Sequence, residues 1–255
     1  MALALTQPRA ISPLGWLRIA LRLTSMAVLL LISVALYYPL RLITRHNPVP
    51  RLFLSGVAWL AGVKLRIEGE QARRGAFLLA NHVSWIDIPA IGAVTGSAFV
   101  GHDGLASMPL LKWLCQMNDT VFVARHDRTS VARQIEEVRQ ALSDTGALAV
   151  FPEGTTSDGT GLLPFKSSLL SALEPLPPGI VVQPVLLDYG PEAARIAWIG
   201  EEHGLDNFLR ILARGRPLQL AVRFLPPLAG DQLAGRKAIA RAARDAILQG
   251  LTNRP

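Results

Sequence analysis

The apolar positions of this chain fall into two regimes. From Leu23 to Leu40 there is no charged residue, and Arg41 closes the run. Eighteen residues at 1.5 Å each come to roughly 27 Å, close to the hydrocarbon thickness of a bilayer. A signal peptide is the competing reading, since Ser33-Val34-Ala35 resembles a small-residue cleavage site. The long segment before the run, and its continuation through Leu36, Tyr37 and Tyr38, favour an uncleaved anchor. The two tyrosines beside Arg41 and Arg45 form an interfacial belt. Arginines 9, 18 and 22 precede the run and 41, 45 and 51 follow it, which leaves its orientation open. A second apolar segment, 52–63, is too short to span. It either packs on the first helix as a membrane hairpin, lies in the interface, or serves as a core helix of the next domain.

From Lys64 onward short apolar runs alternate with amphipathic stretches. Runs at 64–67, 76–80, 98–101, 120–124, 147–151, 180–187, 195–199 and 218–224 predict strands. Val131, Ile135, Val138 and Leu142 share one helical face, with Thr129 or Ser130 to cap it and Gly146 to stop it. A last helix over about 231–249 places Ile239, Ala243 and Ile247 on one stripe, with Arg236, Lys237, Arg241 and Arg244 on other faces. Such alternation predicts an α/β fold, a mixed but mostly parallel sheet flanked by helices. Pro175, Pro177, Pro178 and Gly179 mark a loop, not a domain boundary. The expected organisation is an N-terminal membrane-embedded helical segment, 1–63, and one catalytic domain, 64–255.

Composition narrows the class. Half of the 255 residues are hydrophobic, enough for a large core. The net charge of +7 is carried mainly by arginine and favours an anionic partner, a membrane surface or nucleic acid. No nucleic-acid-binding motif is present, and the apolar N-terminus makes the membrane the better explanation. Cys115 is the only cysteine, which excludes an intrachain disulfide and a cysteine-rich metal site. The five histidines show no metal-ligand spacing, so no metal is expected.

Four stretches carry candidate chemistry. Asn81-His82-Val83-Ser84-Trp85-Ile86-Asp87 follows the predicted strand 76–80. Ser84 and Asp87 have the spacing of a capping box, and Pro89 suits only a helix's first turn. A helix starting near 85–88 leaves His82 in the preceding loop, where Asp87 can orient its imidazole as a general base; capping alone is the bland alternative. Phe151-Pro152-Glu153-Gly154-Thr155-Thr156-Ser157-Asp158-Gly159 follows strand 147–151 and offers glycine and hydroxyl groups to an anion, or is a polar turn. Arg125 ends strand 120–124, and Lys166 opens a helix; both suit a phosphate. The chain has neither a P-loop ending nor a Gly-x-Ser-x-Gly elbow.

Taken in order, these stretches resemble the glycerolipid acyltransferase family that includes the 1-acylglycerol-3-phosphate acyltransferases. Asn81, His82 and Asp87 match its Asn-His-x-x-x-x-Asp motif; Val121, Phe122, Val123 and Arg125 match its second block; Phe151 through Thr155, with Ser157, match its Phe-Pro-Glu-Gly-Thr-Arg-Ser block. Val182-Gln183-Pro184-Val185 is similar to a later Val-Pro-Val block, so the resemblance covers about 65–190. Asp119, His102, Gly104, Thr156 and Lys166-Ser167-Ser168 depart from the pattern, Thr156 by replacing an arginine. The resemblance implies acyl transfer from acyl-CoA or acyl-carrier protein, as co-substrate and without a cofactor, to the hydroxyl of a lysolipid. It assigns catalysis to His82 and Asp87, and the head group to Arg125, Glu153, Gly154, Thr155 and Lys166. Lysophosphatidate is the family's default acceptor. The missing arginine makes lyso-ornithine lipid, a zwitterionic acceptor, the alternative. A lipid-thioester hydrolase and a non-catalytic membrane-binding protein are the readings outside the class. The expected place is the membrane, with the catalytic domain on the cytoplasmic face of the inner membrane.

Overall fold

The computed structural model describes residues 11–44, 47–72, 75–102, 109–123, 136, 139–142, 145–176 and 178–253. Among these, seven strands form one sheet: β1 Val63–Glu68, β2 Ala76–Ala80, β3 Ala98–His102, β4 Val121–Val123, β5 Ala147–Val150, β6 Val181–Asp188 and β7 Leu218–Phe224. Their spatial order is β1-β7-β6-β2-β5-β3-β4. All neighbours pair parallel except β6 with β7, so β1 and β7 run against the other five. The expected mixed, mostly parallel sheet is present.

β2 lies near the centre, and all five of its residues are buried. That explains an unbroken apolar run where a one-sided strand would alternate. Phe77 and Leu79 join Leu148, Val150, Val182, Ile239 and Ala243 on one face. Leu78 and Ala80 face the opposite layer, with Ile86, Ile91, Ile211 and Leu212. The first layer is closed by α7 (Arg236–Thr252), whose Ile239, Ala243 and Ile247 stripe is fully buried as its spacing predicts. The second is closed by α2 (Val49–Leu60), α3 (Asp87–Thr95) and α6 (Gly204–Leu212). α4 (Pro109–Met117) and the short α5 (Ala193–Ile196) are further helices.

The apolar N-terminus forms α1 (Pro13–Ile43), 31 residues long and apolar enough to cross a membrane by length and composition. Ser12 caps it, its hydroxyl accepting from Gly15 N at 3.1 Å. Leu14, Leu17, Leu21, Leu31, Ile32 and Leu36 are exposed along it. α2 packs on α1, with Gly56 against Leu29, and on α3, with Gly92 against Leu54. The segment 52–63 thus joins the first helix to the sheet domain. α1 is fastened near both ends. Arg22 donates to the carbonyls of Leu212 (2.6 Å) and Arg214 (3.2 Å), the negative end of α6, and Trp113 Nε1 of α4 donates to Tyr38 Oη (3.1 Å). Tyr37 departs from the interfacial belt. It is buried and meets Tyr38 edge-on, while Arg41 donates to its hydroxyl. Arg22→Ala is expected to lower stability by about 1 kcal/mol, read as a lower unfolding temperature in detergent.

Two expectations change. Residues 195–199 are not a strand: they finish α5 and enter a loop. The buried Ile196 and Ala197 gave the strand-like pattern, but their carbonyls accept from Asn207 Nδ2 at 3.2 Å, so no neighbouring strand is needed. α6 is an additional helix, recognisable in retrospect from Phe208, Ile211 and Leu212 at helical spacing. Of the predicted helix over 129–145, Val131, Ile135 and Val138 and the capping Thr129 and Ser130 lie outside the described residues. Its end is present: Leu142 is buried, and Gly146 N donates to Leu142 O at 2.9 Å with φ 73°.

Candidate active site

Three strands that are neighbours in the sheet, β6, β2 and β5, run parallel and end at one edge. The segments that follow them therefore meet there: 81–87 after β2, 151–158 after β5, and 189–192 after β6. Asn81 holds the first open. Its amide donates to Leu187 O (3.1 Å) and accepts from Leu187 N (2.7 Å), bridging the ends of β2 and β6.

His82 and Asp87 are in direct contact, Nδ1 to Oδ2 at 2.8 Å. Asp87 is fully buried at the first turn of α3, and its charge lies at the positive end of that helix. Its Oδ2 also accepts from Val83 N (2.6 Å) and Ser84 N (2.9 Å), and its Oδ1 from Tyr189 Oη (2.5 Å). A carboxylate surrounded by donors leaves the hydrogen on Nδ1, so the lone pair of His82 is at Nε2. The His82 side chain keeps 18% of its surface exposed, whereas Asp87 keeps none. The Phe151 ring stacks on the imidazole, centroids 4.2 Å apart and planes 21° from parallel. Ring plane and tautomer are both set. This is an oriented imidazole open on one side.

The capping reading of Ser84 holds in one direction only. Asp87 accepts the Ser84 N–H, but the Ser84 hydroxyl is turned away and donates to Asn207 Oδ1 at 3.1 Å. Asn207 and Arg210 converge on Glu202 beneath it, tying α6 to the motif.

The second block closes over the first. Ser157 N and Oγ donate to His82 O (2.7 and 3.0 Å). Glu153 is buried, 1% exposed; its Oε1 accepts from His82 N and its Oε2 from Leu163 N, each at 2.8 Å. Burial pushes its carboxyl above the ordinary value, against the pull of these hydrogen bonds. Glu153, expected at the head group, is thus placed inside the joint and has both oxygens on backbone amides. Gly154 turns the chain at φ 68°, and Thr155 beside it is exposed. Lys166 is exposed and tied to this turn through its N–H to Pro152 O at 2.7 Å. Thr156 donates to Trp198 O, and Trp198 N donates to Val83 O at 2.9 Å, so the 197–203 loop seals both blocks. Arg125 and Gly104 lie outside the described residues. No group of three or more His, Cys, Asp or Glu is placed to hold a metal among the described residues.

Tyr189, the Phe151 ring as a stacking partner, and Asn207 are contributors that motif reading passes over. Tyr189 directly follows the apolar run of β6, and a polar residue at a strand end was the available signal. Asn207 had none, since it comes from a helix and lies 123 residues in sequence from Ser84, its partner.

Comparison with known proteins agrees with this geometry. The family described as Acyltransferase matches residues 64–188. The lyso-ornithine lipid O-acyltransferase of Rhizobium meliloti is 32% identical over 258 residues, covering 94% of this chain and 88% of that protein. The 1-acyl-sn-glycerol-3-phosphate acyltransferase of Neisseria meningitidis is 38% identical over 125 residues, 48% of this chain and 47% of that one. The crystal structure of the 1-acyl-sn-glycerophosphate acyltransferase of Thermotoga maritima shares the fold, with a TM-score of 0.65 at 21% identity over 94% of this chain and 93% of that one. With the 81–87 and 151–157 motif blocks gathered at one sheet edge and a relative matching nearly end to end, the chain belongs to the glycerolipid acyltransferase family.

Proposed function

We propose that this acyltransferase is a lyso-ornithine lipid O-acyltransferase, moving a fatty acyl group from acyl-CoA or acyl-carrier protein to the lipid's free hydroxyl. The observation that carries this reading is coverage. The similarity to a lyso-ornithine lipid enzyme runs through 94% of the chain, whereas similarity to the Neisseria lysophosphatidate enzyme stops at 48%. The site supports it at Thr156, where the family's arginine is replaced by a short hydroxyl bonded to Trp198 O. One phosphate-binding fork is therefore missing, and a zwitterionic head group needs it less than a phosphate monoester does. This replaces lysophosphatidate, the acceptor expected by family default, as the main reading. The higher identity to the Neisseria enzyme over its shorter match is what favours lysophosphatidate as the second reading.

In the proposed reaction His82 Nε2 removes the acceptor's hydroxyl proton as that oxygen attacks the thioester carbonyl. The thiolate then leaves and the ester remains. Asp87 holds the imidazole and balances its charge while the proton is on it. Thr155 and Lys166, exposed beside the turn, serve the head group, and Arg125 keeps the role that the family pattern assigns it. Glu153 serves the loop instead. The exposed apolar face of α1 meets the membrane, with the sheet domain on the cytoplasmic side, where acyl-CoA and acyl-carrier protein are made.

Purified protein incubated with labelled acyl thioester and each lysolipid in turn tests the acceptor. Labelled ornithine lipid, with little or no phosphatidate, is the expected product. Phosphatidate alone would overturn the assignment.

A further inference from the structure

The Asp87 carboxylate has two oxygens, and the mechanism uses only one of them. Oδ2 receives His82 Nδ1–H and the amides of Val83 and Ser84, all from its own loop. Among the described residues Oδ1 receives a single donor, the Tyr189 hydroxyl, 102 residues away in sequence and brought in from the end of β6. Tyr189 is 2% exposed. Burial, and then the neighbouring carboxylate, hold its phenol protonated, so it remains a donor at every workable pH. Its position is itself fixed: Asn81 locks β6 at Leu187, and Glu192 N donates to Tyr189 O at 3.2 Å as the chain turns.

We propose that Tyr189 is a positioning residue for acyl transfer, anchoring Asp87 so that its other oxygen faces His82 and setting how strongly that carboxylate holds the proton on the imidazole. The inference rests on His82 being the base. A carboxylate held at one oxygen only can rotate about its Cβ–Cγ bond, and rotation would break the alignment with Nδ1. A donor on Oδ1 also withdraws negative charge from the carboxylate. Without it, more of the negative charge stays at Oδ2 and the imidazolium formed during transfer is better stabilised. Among the described residues the other charged group facing the imidazole is Glu153, from the β5 loop, and it is unchanged in the variants below.

Tyr189→Phe removes one oxygen and keeps the ring. The expected result is a kcat reduced about tenfold, an acceptor KM within about twofold of the parent, and an acid limb of the rate profile displaced to higher pH. Replacing Tyr189 alone with 3-fluorotyrosine preserves the packing and makes a stronger donor, so the acid limb is expected to move to lower pH. Thermal unfolding of each variant accompanies the assays. Opposite displacements of the limb support the role. An unmoved limb in both variants overturns it, whatever happens to kcat, because loss of packing alone lowers the active fraction without moving the limb. His82→Ala run beside them separates the two readings. If that protein stays active, the base assignment fails; if it is inactive while the limb is unmoved, only the role of Tyr189 fails.

Discussion

His82→Ala is expected to lose acyl transfer by a factor of about 10²–10⁴ while remaining folded. Its imidazole is held against Asp87 at 2.8 Å, and its stacking on Phe151 fixes the ring plane. The contacts that hold the loop use His82's backbone: its carbonyl accepts from Ser157, and its N–H donates to Glu153. Alanine keeps all of these. The comparison to make is kcat with the favoured lysolipid against thermal unfolding of the same preparation. Near-parental turnover in a folded variant would remove His82 from the chemistry.

Glu153→Ala is expected to do the reverse, lowering stability first and activity with it. Its removal takes the acceptor from two half-buried amides, of His82 and Leu163. A fully buried amide so orphaned costs about 1–3 kcal/mol; water reaches these in part, so a total of about 1–3 kcal/mol is expected. Glu153→Gln keeps an acceptor for one amide and should cost about half as much. The pair also gives a pH signature. Burial raises the Glu153 carboxyl in the folded state above its ordinary value of 4.5, so the folded protein holds this proton more tightly than the unfolded chain. The stability this contributes is fully present below the ordinary value and is lost as pH rises through the raised folded value. Glutamine does not titrate, so the gap between parent and Glu153→Gln should narrow across that window. Chemical unfolding of both proteins at several pH values measures it; a gap constant from acid to neutral pH would mean that Glu153 is not held as described.

These expectations place Glu153 differently from the head-group role that motif matching suggested. A motif records which residue types occur together, and glutamate in a glycine-rich turn is equally compatible with facing a ligand or facing the backbone. Only burial separates the two, and burial depends on Leu163 and His82 arriving from other segments. Ser84 is a similar case. Its spacing to Asp87 is that of a cap, yet α6 supplies Asn207 as a competing partner for the hydroxyl. Spacing within a segment cannot show such competition.

What the sequence determined by itself is local or periodic. The continuous apolar β2, the buried stripe of Ile239, Ala243 and Ile247, the long uncharged α1 and the five-residue interval from His82 to Asp87 all follow from geometry within one segment. The tertiary structure alone decided which segments meet. The order β6-β2-β5 puts three strand ends side by side, so that Tyr189 reaches Asp87, Phe151 covers His82, and Glu153 and Ser157 hold the loop between them. The physical reason is that strand order is set by burial on both faces of the whole sheet. No single segment carries that information.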